Sequence, residues 1–141
     1  MTKHENKLLA DWLLFSQVLT AIDGALETSL KNRNNLTLKE FYVLHFLAAH
    51  PSKKMRLQDL QEKVGLSQSA LSRLVSRMEE KEQGVINRHI CSDDKRGIYI
   101  SITPLGEEKA GKAEQTVNQL LAVEIKKKPL AALIAQLASA N

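Results

Sequence analysis

The sequence predicts a mainly α-helical fold with a small β wing, and three observations support that prediction. A long amphipathic helix pattern covers Lys7 to Asn32. Further along, a short helix pattern, a turn at Gly65 and a second helix pattern follow one another. Beyond them the apolar period changes to that of strands, on both sides of a charged turn from Asp93 to Gly97. This order of elements is that of a winged helix-turn-helix lobe attached to a helical arm.

Length and composition limit the class of protein. The chain has 141 residues and a formal net charge of +4, which fits one mildly basic domain. Its only cysteine, Cys91, excludes an intramolecular disulfide framework. Asp11 and Asp23 interrupt the N-terminal apolar helix, and the first residues lack the apolar core of a signal peptide. We therefore expect a cytoplasmic protein with no membrane partner.

The two ends of the chain predict the arm. Apolar residues of the first helix step by four and three along one face: Leu8, Trp12, Phe15, Leu19, Ile22, Leu26 and Leu30. That is more apolar surface than a small lobe needs. A last helix, predicted from Leu130 to Ser139 after Pro129 ends the preceding one, carries a second apolar face. We expect a single domain over residues 1–141, with residues 1–34 and 104–141 as the arm and residues 36–103 as the lobe.

Local signals give the helices of the lobe. Thr37 and Glu40 fit a capping box at the start of the second helix, which Pro51 stops. Gly65 suits the left-handed residue that ends the third helix. Ser67 fits the N-cap of the fourth helix, which should run to about Lys81.

A change in the spacing of apolar residues predicts the wing and the helix that follows it. Ile86 to Cys91 and Ile98 to Thr103 alternate as two strands, and Met55 to Leu57 fits a further short strand. Thr103 caps a helix that has Pro104 at its first position and should run to about Lys126.

The fourth helix has the surface of a DNA-reading element. No acidic residue occurs from Val64 through Met78. The candidate DNA-binding residues on this helix are Ser67, Gln68, Ser69, Ser72, Arg73 and Arg77. Arginine suits guanine edges or phosphates, and the N-terminal serines and Gln68 suit phosphates or adenine. The plain alternatives are a solvated helix face for the arginines and simple capping for Ser67.

The turn between the strands is the second candidate. Lys95 and Arg96 could enter a narrow minor groove, where the potential is most negative. A charged hairpin turn is the alternative. Lys53, Lys54 and Arg56 fit either additional phosphate contacts or a solvated loop.

Several of these motifs together resemble the MarR family of bacterial transcription regulators along almost the whole chain. The specific marks are the helix run Ser67 to Arg77, the wing signature Asp94-Lys95-Arg96-Gly97 and the helix start Thr103-Pro104-Leu105-Gly106. The resemblance implies a homodimer on a pseudo-palindromic operator of double-stranded DNA, joined through the helical arm. Each recognition helix would lie in a major groove and each wing in the flanking minor groove. It also implies that Asp94 positions the wing by pairing with Arg77, which leaves two roles open for Arg77.

The resemblance motivates a hypothesis of regulation by a small molecule, although no particular ligand carries over from the family. We expect a repressor, with release by a small aromatic effector as an option and Trp12, Phe15 and His45 as its candidate contacts. A packed core histidine is the alternative for His45. The histidines lack zinc spacing, no nucleophile is placed with a base, and no cofactor is expected. The rival function is a protein-interaction module of the same fold with vestigial DNA binding.

Overall fold

The computed structural model describes residues 3–81, 84–90 and 97–139, and it confirms a mainly helical fold with a small β wing. The helices are α1 (Lys3–Asn34), α2 (Leu38–Ala49), α3 (Leu57–Val64), α4 (Gln68–Lys81), α5 (Pro104–Lys126) and α6 (Lys128–Ser139). The strands are β1 (Lys54–Arg56), β2 (Ile86–Ile90) and β3 (Ile98–Ile102).

The predicted helix ends in the lobe are confirmed by their hydrogen bonds. The Glu40 N–H donates to Thr37 Oγ1 at 3.1 Å, and the Thr37 N–H donates to Glu40 Oε1 at 2.8 Å, which closes the capping box. Gly65 ends α3 with a φ of 78°, in the left-handed region. α1 adds a contact that the sequence did not suggest, because Glu27 Oε1 accepts from the Leu38 N–H at 3.1 Å.

The sheet has three antiparallel strands in the order β1-β3-β2. The predicted ribbon of β2 and β3 is therefore completed by β1. This strand begins and ends one residue earlier than the predicted strand from Met55 to Leu57, because Leu57 is the first residue of α3. In the register, Arg56 pairs with Tyr99, and Tyr99 pairs with His89. Because side chains alternate across a sheet, this row lies on one face, and the row of Met55, Ile100 and Arg88 lies on the other.

The start of α6 differs from the prediction, whereas the end of α5 is confirmed. α5 ends at Lys126, as predicted, but α6 begins at Lys128 rather than at Leu130. Lys127 is extended, and its N–H donates to the Glu124 carbonyl at 3.0 Å. Pro129 instead lies in the first turn of α6, where its missing N–H would have had no intrahelical acceptor in any case.

A continuous core joins the lobe to part of the arm. The side chains that are most completely buried come from α1, α2, α3, α4 and β3: Leu30, Leu44, Leu47, Leu60, Leu71, Met78 and Ile100. α5 contributes Ala110 and Ala113, which pack against this core. α4 and the wing are therefore built on the same packed base as the C-terminal half of α1.

The N-terminal half of α1 is different, because its apolar side chains are exposed. Leu9 is 55% exposed and Trp12 is 61% exposed, whereas Leu26 and Leu30 are buried. By length and composition alone, Lys7–Asn34 would suffice to cross a membrane, so its polar residues do not exclude a span as expected from the sequence. Core helices of soluble proteins and signal sequences meet the same criterion.

Candidate nucleic-acid interface

One face of α4 is open along the whole helix. Ser67, Gln68 and Ser69 at its start are exposed, as are Arg73 and Arg77, and Ser72 is partly exposed. The opposite face is anchored in the core by Leu71, Leu74, Val75 and Met78. The structure therefore brings all six candidate residues of this helix onto or beside one surface with no acidic side chain before Glu79.

The start of α4 is capped by Ser67. Ser67 Oγ accepts from the Ala70 N–H at 3.2 Å, and the Ser67 carbonyl accepts from the Leu71 N–H at 2.9 Å. Capping is therefore one role of Ser67, as the alternative interpretation held. It leaves the first N–H groups of α4, those of Gln68 and Ser69, without an intrahelical acceptor and facing the open end. An anion such as a phosphate suits that position.

Arg88 holds the wing against α4, a contact that the sequence analysis did not predict. Its Nη2 donates to the Ser72 carbonyl at 3.1 Å and to Ser76 Oγ at 3.2 Å. Its Nε lies 3.5 Å from Glu79 Oε1, close enough for an ion pair although the geometry is not that of a hydrogen bond. The signal was present in the sequence, because an arginine at the inward position after Ile86 must find polar partners on the helix it faces.

The outer face of the sheet carries cations around one aromatic ring. Arg56 Nε donates to Tyr99 Oη at 3.1 Å, and the guanidinium carbon lies 5.5 Å from the centre of that ring. Lys54 Nζ lies 5.8 Å from the same ring, and the His89 ring stacks on it at 6.2 Å and 8°. Lys54 and Arg56 thus lie on a strand rather than in a solvated loop.

Lys53 has a different position from its two neighbours. Its Nζ donates to the Ala48 carbonyl at 2.6 Å and lies 3.1 Å from Glu107 Oε1. The side chain therefore closes the end of α2 and ties it to α5.

A cleft separates the wing from the starts of α3 and α4. Its volume is about 420 Å³. It is lined by Arg56, Leu57, Gln58, Gln61, Gln68, Gly97 and Ile98. Among these described residues the polar side chains are three amides and one guanidinium, so the lining carries a positive charge and several hydrogen-bond donors.

Three predicted residues lie outside the described part of the chain. They are Asp94, Lys95 and Arg96, which the sequence analysis assigned to the turn between the two strands. The pairing of Arg77 with Asp94 and the minor-groove contacts of the tip stay predictions.

The candidate effector residues lie in two ring clusters. Trp12 packs against Phe15 on α1, with ring centres 6.1 Å apart. His45 packs against Phe41 at 5.8 Å and Phe46 at 5.3 Å on α2. Among the described rings, His45 is therefore grouped with its own helix rather than with Trp12 and Phe15.

Tyr42 belongs to the second cluster and was not singled out from the sequence. Its ring lies 5.9 Å from Phe41 and 6.3 Å from Phe46. Burial, and then the nearby Asp23 carboxylate, raise the pKa of the Tyr42 hydroxyl above its ordinary value. In the described residues, no group of three or more His, Cys, Asp or Glu side chains could hold a metal ion.

Comparisons with known proteins agree with this fold. Residues 36–98 match the model of the MarR family. Sco3205 from Streptomyces coelicolor, a MarR family transcriptional regulator solved in complex with DNA, is 21% identical with a TM-score of 0.80 and covers 99% of this chain and 89% of its own. A MarR mutant from E. coli complexed with operator DNA is 22% identical with a TM-score of 0.75, covering 98% of this chain and 97% of its own. NadR in complex with 4-hydroxyphenylacetate is 20% identical with a TM-score of 0.66, and the match covers 89% of this chain and 86% of the NadR chain.

Proposed function

We propose that this chain, which belongs over its residues 36–98 to the MarR family of transcription regulators, binds an inverted-repeat operator as a homodimer and represses transcription. α4 of each subunit would occupy a major groove, and each wing would enter the flanking minor groove. Bound in this way, the dimer would compete with RNA polymerase for an overlapping site.

The exposed face of α4 is the observation that carries the proposal. It presents Ser69, Arg73 and Arg77 to solvent from a helix whose other face is anchored in the core. A rigid helix with cationic and hydroxyl side chains can reach base edges in the major groove. Arg88 supports the same reading, since it holds β2 beside α4 and so sets the distance between the two groove-binding elements.

The exposed apolar part of the arm supports the homodimer. Trp12 and Leu9 on α1 and Val123 on α5 are each more than half exposed. Apolar patches of this kind on a soluble chain mark an interface. A two-fold dimer would place two α4 helices about one helical turn of DNA apart, roughly 34 Å, so that both half-sites are filled.

A small-molecule effector is the second part of the proposal. The half-exposed rings of α2, including His45 and Phe46, lie where the arm meets the lobe. NadR was solved with 4-hydroxyphenylacetate, so an aromatic acid is the first class to test. An effector can change the spacing of the two α4 helices only by its different affinity for the two states.

The test is a selection from random duplex DNA with the purified protein. We expect an inverted repeat to be enriched by the wild type and to be weakened or lost with Arg73→Ala. Arg96→Ala, chosen on the sequence alone, tests the wing in the same way. The matched control is Arg33→Ala, because Arg33 is an exposed arginine on α1 that donates to Gln119 rather than lying near α4.

Other outcomes would contradict the proposal. An enriched motif without two-fold symmetry would reject the dimeric site. No enriched motif, with weak retention by any duplex, would favour the protein-interaction module. Affinity for the selected duplex that stays constant across a series of aromatic acids would reject effector release by that class.

A further inference from the structure

We propose that Glu27 of α1 and Lys39 of α2 fix the orientation of the helix-turn-helix, formed by α3 and α4, relative to the arm. The two residues would thereby decide which spacing of half-sites the dimer accepts. Both are positioning residues, because they would act through α4 rather than touch the DNA. This inference rests on the proposed function, and it gives the contacts between arm and lobe a role in operator selection.

The first contact joins α1 to the start of α2. Glu27 Oε1 accepts a hydrogen bond from the Leu38 N–H at 3.1 Å, although the two residues are 11 positions apart in the sequence. That N–H lies in the first turn of α2, where it has no intrahelical acceptor, and a carboxylate also suits the positive end of the helix dipole. α2 already has its own cap in Thr37 and Glu40. The bond to Glu27 is therefore an addition that ties the arm to the lobe.

The second contact joins α2 to the end of α3. Lys39 follows Leu38 directly, and its Nζ donates to the Val64 carbonyl at 3.1 Å. Val64 is the last residue of α3, so its carbonyl has no intrahelical donor and lies at the negative end of that helix dipole. The Lys39 ammonium also lies 5.6 Å from the centre of the Tyr42 ring, which limits the positions it can take. Because α4 begins at Gln68, directly after the turn that follows Val64, Lys39 holds the turn from which α4 starts.

Together Glu27, Leu38, Lys39 and Val64 form a joint at the first turn of α2. Leu38 is bonded to the arm, and the next residue, Lys39, is bonded to the turn before α4. Both hydrogen bonds are partly buried, so salt screens them less than it screens pairs on the surface. Apolar packing in the core is non-directional, whereas a hydrogen bond weakens steeply as its angle departs from linear. The core therefore holds the helices together, and the two hydrogen bonds set the angle between them.

A fixed angle matters because the dimer would present two copies of α4 to one duplex. The half-sites that they occupy would lie about one helical turn apart, roughly 34 Å. Inserting one base pair moves a half-site by roughly 3.4 Å along the axis and turns it by about a tenth of a helical turn. A lobe held at one angle can follow that change only by straining its contacts, whereas a lobe on a loose joint can turn with the DNA. The joint therefore predicts a strong preference for one spacing.

The test compares the selected inverted repeat with two altered duplexes, in which one base pair is inserted or removed at the centre. We expect the wild type to bind the selected spacing about thirtyfold more tightly than either altered spacing. Glu27→Ala removes the acceptor, and Lys39→Met removes the donor but keeps an apolar stem. Each should lower that preference about tenfold, the effect of one hydrogen bond to a charged group. Because both changes act on the same joint, the double variant should have about the same preference as either single variant.

A duplex with a single half-site separates orientation from support of the fold. It engages one lobe whatever the angle of the other, so Glu27→Ala and Lys39→Met should bind it like the wild type. Arg73→Ala removes an exposed side chain of α4, so it should weaken binding to every duplex and leave the preference for spacing unchanged. Thermal unfolding of each variant should begin above the temperature of the binding assay, which shows that the lobes are folded in the comparison.

Conservative and distant substitutions are the controls. Glu27→Gln keeps an acceptor oxygen and Lys39→Arg keeps a charged donor, so each should retain most of the preference for spacing. Glu114→Ala and Lys112→Met each remove one exposed charge from α5, away from the joint. Both should bind the three duplexes like the wild type.

The other outcomes separate the joint from the function on which it depends. Wild-type preference for spacing in both Glu27→Ala and Lys39→Met would overturn the assignment. An equal loss of affinity for the single half-site and for the selected duplex would also overturn it, because that loss would mean damage to the lobe itself. A wild type that binds all three spacings with equal affinity would reject the joint and leave the proposed DNA binding intact. A wild type that retains no duplex at all would reject both.

Discussion

Gly106 lies where α5 approaches the backbone that follows α4. A Cβ at this position would clash with the Val85 carbonyl oxygen and would lie 2.7 Å from Ile102 Cγ1. The Thr103 side chain reinforces the same joint, accepting from the Gly106 N–H at 3.1 Å and donating to the Gly84 carbonyl. Gly106→Ala should therefore lower the free energy of unfolding by about 2 kcal/mol or more, measured by urea denaturation.

Gly111 is the matched control for that substitution. It lies on the same helix, and an added Cβ would have no neighbour within 4 Å. Because alanine restricts the unfolded chain more than glycine does, Gly111→Ala should raise the free energy of unfolding by about 0.5–1 kcal/mol. Similar losses of stability in the two variants would show that helix α5, rather than the contact with Val85, responds to the change.

Tyr42 makes stability depend on alkaline pH. Burial and then Asp23 raise the pKa of its hydroxyl above the ordinary 10.0, so the folded state binds this proton more tightly than the unfolded state. The stability that this group contributes is fully present below pH 10.0 and is lost as the pH rises through the folded pKa. Urea unfolding between about pH 9 and pH 11 should show a shallower alkaline loss in Tyr42→Phe than in the wild type.

Asp23→Asn provides the internal check on the cause. Removing that carboxylate leaves burial, the larger cause, in place. The alkaline loss of this variant should therefore fall between those of the wild type and Tyr42→Phe. Identical pH profiles for the wild type and Tyr42→Phe would assign the alkaline loss to other groups.

Among the contacts between secondary-structure elements, those of Arg88 determine the position of the wing relative to α4. Arg88→Ala removes hydrogen bonds to the Ser72 carbonyl and Ser76 Oγ and the contact with Glu79. We expect a loss of about 1–2 kcal/mol in the free energy of unfolding and a clear loss of duplex affinity. Urea denaturation and binding to the selected duplex measure the two effects.

Arg73→Ala should change duplex affinity more than it changes the free energy of unfolding. Arg73 is exposed on α4, so its removal should leave unfolding within about 0.5 kcal/mol of the wild type while duplex affinity falls. If Arg88→Ala changes neither stability nor duplex affinity, the position of the wing does not depend on the hydrogen bonds that Arg88 donates to α4.

Local signals made much of the fold predictable from the sequence. The capping box of Thr37 and Glu40, the left-handed Gly65 and the cap at Thr103 each act within one helical turn. These signals can therefore be recognised in the sequence without knowledge of contacts between distant residues. Pro129 shows the limit of such signals, because a proline suits the position after one helix and the first turn of the next equally well.

Contacts between distant residues were not predictable in the same way. Arg56 and Tyr99 are separated by 43 positions, and only the pairing of β1 with β3 brings them together. The position of Arg88 beside α4 likewise depends on how the sheet packs. The exposed residues of α4 were predictable as a set because helical periodicity assigns them to one face.

At the scale of the whole molecule, the exposed end of α1 predicts concentration-dependent association. Trp12 is 61% exposed in the single chain, and it is the only tryptophan in the sequence. Its fluorescence therefore reports this surface alone. If two copies join through the arm, dilution should shift the emission to longer wavelength as Trp12 returns to water, and thermal unfolding should occur at lower temperature.

Two glutamate substitutions test whether the arm carries that association. Leu9 lies one turn before Trp12 and is 55% exposed, so Leu9→Glu would place a charge in the interface. This variant should sediment as a monomer, lack the dependence on dilution and bind the inverted repeat much more weakly, because two half-sites are no longer linked. Ile90→Glu is the control for association alone, since Ile90 is 67% exposed but lies on the wing rather than on the arm. A Leu9→Glu protein that remains dimeric would place the interface elsewhere, and association that appears only with lipid vesicles would assign this face to a membrane.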